Sequence, residues 1–176
     1  MKEKLKGTFI KHLAILEENS TCVRVKVAAI IVKDGRTIST GWNGVPSGFT
    51  HCDKIFAIVK KPVPFGNPDP TREPNQYFVY SAEVDKEKFM FEHHNFSEKC
   101  EIHAEANAIA FAARNSISTE GAEIFVTITP CTNCAKLILA SGIKKVYYKE
   151  VYDRNPDGFV LLKEAKAMGK IELEKI

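Results

Sequence analysis

The chain has 176 residues, 44% of them apolar and 27% charged, with a formal net charge of +3. That length suits one domain with a sizeable core, and the composition excludes disordered, fibrous and membrane-spanning classes. The mild positive charge permits an anionic small ligand but lacks the dense basic run of a dedicated nucleic-acid binder.

Phe9, Ile10, Leu13, Ile15 and Leu16 recur at helical spacing and predict an amphipathic helix over about 3–18 rather than a signal peptide. Five cysteines (Cys22, Cys52, Cys100, Cys131 and Cys134) make an odd number in a chain with no apparent leader. A reducing, cytoplasmic compartment follows, with the cysteines as thiols or metal ligands. The Val, Ala and Ile content of 25–33 predicts a buried strand. Asp34-Gly35 is a hairpin turn signal, with the returning strand over 37–42. Asn43-Gly44 then opens a long excursion. Six of the eight prolines fall between positions 45 and 75, and we expect an insertion over about 45–99 within a single domain covering 1–176.

Order returns with a strand-like 77–80 and a short helix over 82–92. An Ala-rich helix is expected over 103–114, a strand over 123–129, a helix over 131–140 and a strand over 143–148. A helix over 158–168 and a short strand over 171–174 close the chain. A hairpin followed by alternating strands and helices predicts an α/β domain, with helices layered on a mixed sheet.

Chemistry concentrates in two fragments, His103-Ala104-Glu105 and Pro130-Cys131-Thr132-Asn133-Cys134. One His and two Cys at i, i+3 spacing make a three-point zinc site, and three protein ligands leave a fourth position for water. Both fragments open predicted helices, where unsatisfied N–H groups and partial positive charge favour thiolates. Glu105 is then a carboxylate beside the metal that need not bind it, suited to shuttling protons. A lone Cys-x-x-Cys is more commonly a structural knuckle or redox pair, and a lone His-Ala-Glu more commonly a solvated helix face. Their combination is the signature of zinc nucleobase deaminases.

The resemblance extends well beyond the zinc ligands. Cys100-Glu101-Ile102-His103-Ala104-Glu105-Ala106-Asn107-Ala108-Ile109, Thr129-Pro130-Cys131-Thr132-Asn133-Cys134-Ala135-Lys136-Leu137-Ile138 and Ser141-Gly142-Ile143-Lys144 resemble the bacteriophage-type deoxycytidylate deaminases. Gly41-Trp42-Asn43-Gly44, followed by Pro46, is similar to that family's Gly-Tyr-Asn-Gly loop, with Trp42 in place of the usual Tyr and Ala28 in place of a usual Gly. The similarity runs from about 21 to 156. It implies a three-layer α/β/α fold on a five-stranded mixed sheet, and zinc-dependent hydrolysis of dCMP to dUMP and ammonia in dTTP supply. Zinc would be held by His103, Cys131 and Cys134, with Glu105 catalytic. Asn43 would bind the sugar, the Ala104 backbone the base, Lys26 (with Arg24 behind it) the 5′-phosphate, and Tyr152 would pack near the nucleotide.

The resemblance further implies a homohexamer in the cytoplasm (the host's, if phage-encoded), activated by dCTP and inhibited by dTTP, each with Mg²⁺. Gly41, Asn43, Gly44 and Arg114 would form the effector site. Some relatives carry a second, structural zinc, for which His51, Cys52, His93, His94, Cys100 and Glu101 are suitable ligand types. Neither a membrane nor a polynucleotide partner is expected. A tRNA or single-stranded DNA deaminase shares the zinc motifs but would want aromatic stacking positions on a basic track. A non-catalytic zinc-stabilised nucleotide sensor would have no use for Glu105. Free cytidine is opposed by His103, since cytidine deaminases of that type usually present Cys there.

Overall fold

The structure is a computed structural model that describes residues 2–57, 80–81, 86–153 and 156–176. In chain order the described elements are α1 (Glu3–Glu17), β1 (Ala28–Lys33), β2 (Arg36–Trp42), α2 (Cys52–Ile55), β3 (Phe56–Ala57), β4 (Tyr80–Ser81) and α3 (Lys86–Cys100). They continue with α4 (Ala104–Arg114), β5 (Glu123–Ile128), α5 (Thr132–Ala140), β6 (Lys145–Glu150), α6 (Asp157–Ala167) and β7 (Glu172–Lys175). Most of the proline-rich stretch lies outside the described residues. The contacts divide the chain into two units, one of 1–20, 26–43 and 103–176, the other of 21–25 and 44–102.

The first unit is built on a five-stranded sheet in the order β2-β1-β5-β6-β7. β1 pairs antiparallel with β2 and β5, while β5–β6 and β6–β7 are parallel, so the sheet is mixed as expected. Asp34 and Gly35, both at positive φ (50° and 73°), make the tight β1–β2 turn that the right-handed twist of a hairpin favours. Strand alternation then sorts the core into two faces. Ala28, Ile30, Val32, Phe125 and Tyr147 face α1, packing on Phe9 and Leu13. Ala29 and Ile31 point to the other face. Gly41 and Ser39 lie opposite them in register on β2. α4 lies on that face, with the Ser39 hydroxyl donating to the Ala108 carbonyl at 2.6 Å. The unit is therefore a helix–sheet–helix sandwich, with α4 and α5 adjacent on the sheet and α6 against α5.

The second unit has its own small core, in which Cys22, Cys52, Ile55, Phe56 and Phe89 are buried together. Phe56 meets Phe89 edge-on at 5.8 Å and Phe96 at 5.4 Å. Its helix differs from the expected one over 82–92. Residues 82–85 lie outside the described set, and α3 runs from Lys86 to Cys100. No Gly or Pro interrupts 86–100, so nothing local ends the helix at His93-His94. The expected strand over 77–80 is described only at Tyr80, which pairs with Phe56. No described helix is long and apolar enough to cross a membrane.

Candidate active site

β5 delivers the chain through Thr129 and Pro130 to Cys131, the N-cap residue of α5. His103 holds the equivalent place before α4. Both caps are extended (φ −66°, ψ 171° and φ −67°, ψ 151°) and neither side chain caps its own helix. The side chains are thus directed to other work. His103 Nδ1 lies 3.3 Å from Cys131 Sγ and 3.5 Å from Cys134 Sγ. A tetrahedral zinc with Zn–S of about 2.3 Å and Zn–N of about 2.0–2.1 Å sets sulfur and nitrogen ligands about 3.5 Å apart. The three donors, all within 4.8 Å of one another, therefore fit zinc in both chemistry and spacing.

The two thiols interact with each other and with His103. Hydrogen bonding from the Cys134 thiol and from His103 pulls the Cys131 thiol down to about 4, making it the thiolate of the pair. Cys134, the donor in that bond and itself buried, is pushed up. Glu105, in the first turn of α4, is only 3% exposed. Burial raises its proton affinity, against the opposing effect of its own backbone N–H and of His103. A carboxyl raised in this way can hold a proton and return it, as a general acid–base must.

The backbone under the His half is tightly seated. Gly41 is buried, and a Cβ there would meet Ala108 N at 2.5 Å and overlap the Ala104 carbonyl. Asn107 Nδ2 donates to the Trp42 carbonyl at 3.0 Å. Gly41 thus lets α4 approach β2, a packing role its sequence context did not suggest. Asn43 is buried, its Oδ1 accepting from Val27 N–H at 2.8 Å and from the Ser20 hydroxyl at 2.6 Å. Ala104 is fully buried as the first residue of α4. The Tyr152 N–H donates to Thr129 Oγ1 at 2.8 Å, which ties the loop after β6 to the strand end before Cys131. Lys26 is exposed. Arg114 ends α4, about 15 Å of helix from Ala104, so it is not brought to the thiols. Gly44, in the second unit, pairs with Ile102 through two backbone bonds of 3.2 and 2.8 Å.

A second cluster of the same donor types lies in the second unit. Cys22, Cys52 and His93 are all buried, with His93 Nε2 at 3.5 Å from Cys22 Sγ and 3.3 Å from Cys52 Sγ. Hydrogen bonding from Cys52 and His93 holds the Cys22 thiol down near 5, while its donor Cys52 is pushed up. Glu101 adds its negative charge near Cys52, and its Oε2 accepts from the Ser97 hydroxyl at 2.7 Å. Of the ligand types expected for a second zinc, the structure brings Cys52 and His93 together and adds Cys22, which was not among them. His51 and His94 are exposed, with His51 Nδ1 turned to Thr21 Oγ1 at 3.2 Å, and like Cys100 they take no part. The one available hint was that Cys22 is a cysteine left over from every motif.

The family model for the cytidine and deoxycytidylate deaminase zinc-binding region matches residues 4–150. The chain belongs to the cytidine and deoxycytidylate deaminase family. It is 42% identical over 169 residues to the deoxycytidylate deaminase of Enterobacteria phage T2, covering 87% of this chain and 84% of the relative. ComE operon protein 2 of Bacillus subtilis is 32% identical, over 96% of this chain and 71% of that one. Among solved structures, the dCMP deaminase of cyanophage S-TIM5 in complex with dCMP and dUMP matches with a TM-score of 0.69 and 31% identity, covering 100% of this chain and 99% of that one. The chain is thus a deaminase of a zinc-binding family, carried on that family's fold.

Proposed function

We propose that this deaminase acts on dCMP, releasing dUMP and ammonia. The observation that carries the reading is buried Glu105 two residues from His103, whose ring stands at zinc-ligand distances from Cys131 and Cys134. Its identity to phage deoxycytidylate deaminases supports the substrate. A zinc ion held by those three residues would supply Lewis acidity at an open fourth position, lowering the pKa of water there to about 7. Glu105 takes one proton from the attacking water and passes it to N3 of the pyrimidine as the C4–O bond forms. It then takes the remaining proton from the C4 hydroxyl and delivers it to the exocyclic amine; the C4=O double bond forms as the C4–N4 bond breaks, and ammonia leaves.

The other residues bind and orient. Asn43, its amide orientation set by Ser20 and Val27, hydrogen-bonds the sugar. The Ala104 backbone meets the base, and Lys26 meets the 5′-phosphate. Tyr152, anchored on Thr129, packs near the nucleotide. In the same reading Cys22, Cys52 and His93 hold a second, structural zinc, with the Glu101 carboxylate as the nearby fourth donor. The enzyme is a cytoplasmic homohexamer in dTTP supply, activated by dCTP·Mg²⁺ and inhibited by dTTP·Mg²⁺ through Gly41, Asn43, Gly44 and Arg114.

Ammonia release from dCMP by zinc-loaded protein, with and without each effector, tests the proposal. Turnover that rises with dCTP and falls with dTTP supports the reaction and its regulation together. Turnover indifferent to both removes the effector assignment. Absence of turnover on dCMP, with zinc bound, refutes the substrate.

A further inference from the structure

We infer that α6 is a positioning element for the thiolate half of the metal centre and acts through Gly158; the inference rests on reading His103, Cys131 and Cys134 as a zinc site. Gly158 is the second residue of α6 and is buried. No positive φ demands glycine there. What demands it is contact. A Cβ on Gly158 would overlap the Pro130 carbonyl oxygen and the Cys131 carbonyl carbon, and would stand 2.6 Å from the Cys131 carbonyl oxygen. All three are backbone atoms, so no side-chain rotation relieves the overlap. They belong to the two peptide units flanking the Cα that carries the Cys131 thiol.

That backbone has little room to retreat. The Thr129 N–H donates to the Glu150 carbonyl at 2.9 Å, and Thr129 Oγ1 accepts from the Tyr152 N–H at 2.8 Å. The Ala135 N–H closes on the Cys131 carbonyl at 2.8 Å, committing that oxygen to α5. A methyl group at position 158 must then push α6 away or move the Cys131 backbone, and with it the sulfur, relative to Cys134 and His103. The His half has a matching seat, where Gly41 admits the backbone of α4. Each half of the centre rests on a position with no side chain. Gly7 offers the contrast, a helical glycine with nothing within 4 Å of the place its Cβ would take.

The test compares Gly158→Ala with Gly7→Ala in cobalt-substituted full-length protein, reading the thiolate-to-cobalt bands that respond to added dCMP. Gly158→Ala is expected to shift those bands and weaken metal retention against a chelator by about tenfold or more. It should lower kcat while KM for dCMP stays within about twofold. Gly7→Ala should do none of these. Wild-type bands, metal retention and kcat in Gly158→Ala overturn the inference, even if its Tm falls. Wild-type protein whose cobalt bands ignore dCMP overturns the zinc reading beneath it. Should Gly158→Ala not fold, Leu162→Val, which loosens α6 from within, is set against Leu13→Val in the α1 core; both leucines are fully buried. Weaker metal retention only in Leu162→Val supports the inference, and equal retention in the two overturns it.

Discussion

Two clusters in this chain share one donor set, two thiols and an imidazole, and differ in their surroundings. Cys22, Cys52 and His93 are wholly buried, whereas His103 and Cys131 keep partial exposure and only Cys134 is buried. Beside the first cluster, Glu101 accepts from Ser97. Beside the second, Glu105 sits in the first turn of the helix that His103 immediately precedes, 3% exposed, with burial raising its proton affinity. The ring nitrogen used also differs, Nε2 of His93 against Nδ1 of His103. In both places the donors have the chemistry and spacing to hold a metal ion. Exposure and the neighbouring carboxylate distinguish a site that can admit a substrate from one that closes on itself.

The sharpest break between the two comes from Glu105→Gln. It removes the proton relay without touching a ligand, so turnover should fall by about 10³-fold or more while zinc content, measured by elemental analysis, is unchanged. A variant that loses zinc along with activity would make Glu105 a ligand and dissolve the distinction. Cys22→Ser does the reverse. It should cost one zinc per chain and lower Tm by about 10 °C or more, while the fraction that folds keeps turnover on dCMP within about threefold of wild type. A Cys22→Ser protein that is folded and stable yet inactive would bring the second cluster into the catalytic machinery. Chelator treatment grades the same contrast by rate. The partly exposed cluster should release metal first, so activity is lost as the first zinc leaves and near-native circular dichroism survives until the second follows. Simultaneous loss of both zincs would count against unequal access.

How much of this was legible beforehand depended on sequence separation. His103, Glu105, Cys131 and Cys134 lie in two short fragments that each open a helix, and local spacing is what a sequence displays. The strands were readable for the same reason, since apolar runs such as Ala28–Lys33 and Glu123–Ile128 mark buried strands wherever they pair. Their order was not. That β1 sits between β2 and β5, with β5, β6 and β7 parallel, follows from long-range register that no window contains. The buried cluster was half visible for a related reason. Cys22 is 30 residues from Cys52 and 71 from His93 and belongs to no motif, so only the folded chain unites them. Gly41 and Gly158 were opaque because a glycine that admits a neighbour's backbone looks, in sequence, like any other glycine.

The smallest expected effect lies away from both clusters and supplies their background in acid. Thiolate clusters lose metal as pH falls, so acid sensitivity of the fold itself must be known separately. Glu174 on β7 accepts from Lys6 at 2.5 Å and from Lys145 at 2.9 Å, with Lys145 also reaching Glu172 at 3.1 Å. The Tyr147 ring lies 4.8 Å beneath Lys145 and 5.7 Å from Lys6. The two ammonium groups, Lys6 foremost, hold the Glu174 carboxyl below the usual range. The folded state therefore binds this proton more weakly than the unfolded one. The stabilisation is complete above the unfolded value of about 4.3 and is lost as pH falls through the folded value. Glu174 is 34% exposed, so solvent screens the pairs and the effect is modest. Glu174→Gln should lower Tm at pH 7 by about 1–3 °C, leave both zincs in place, and converge with wild type as pH falls below 4. A deficit undiminished in acid would show that the glutamate contributes packing and not charge, and acid loss at the two clusters could then be compared without correcting for it.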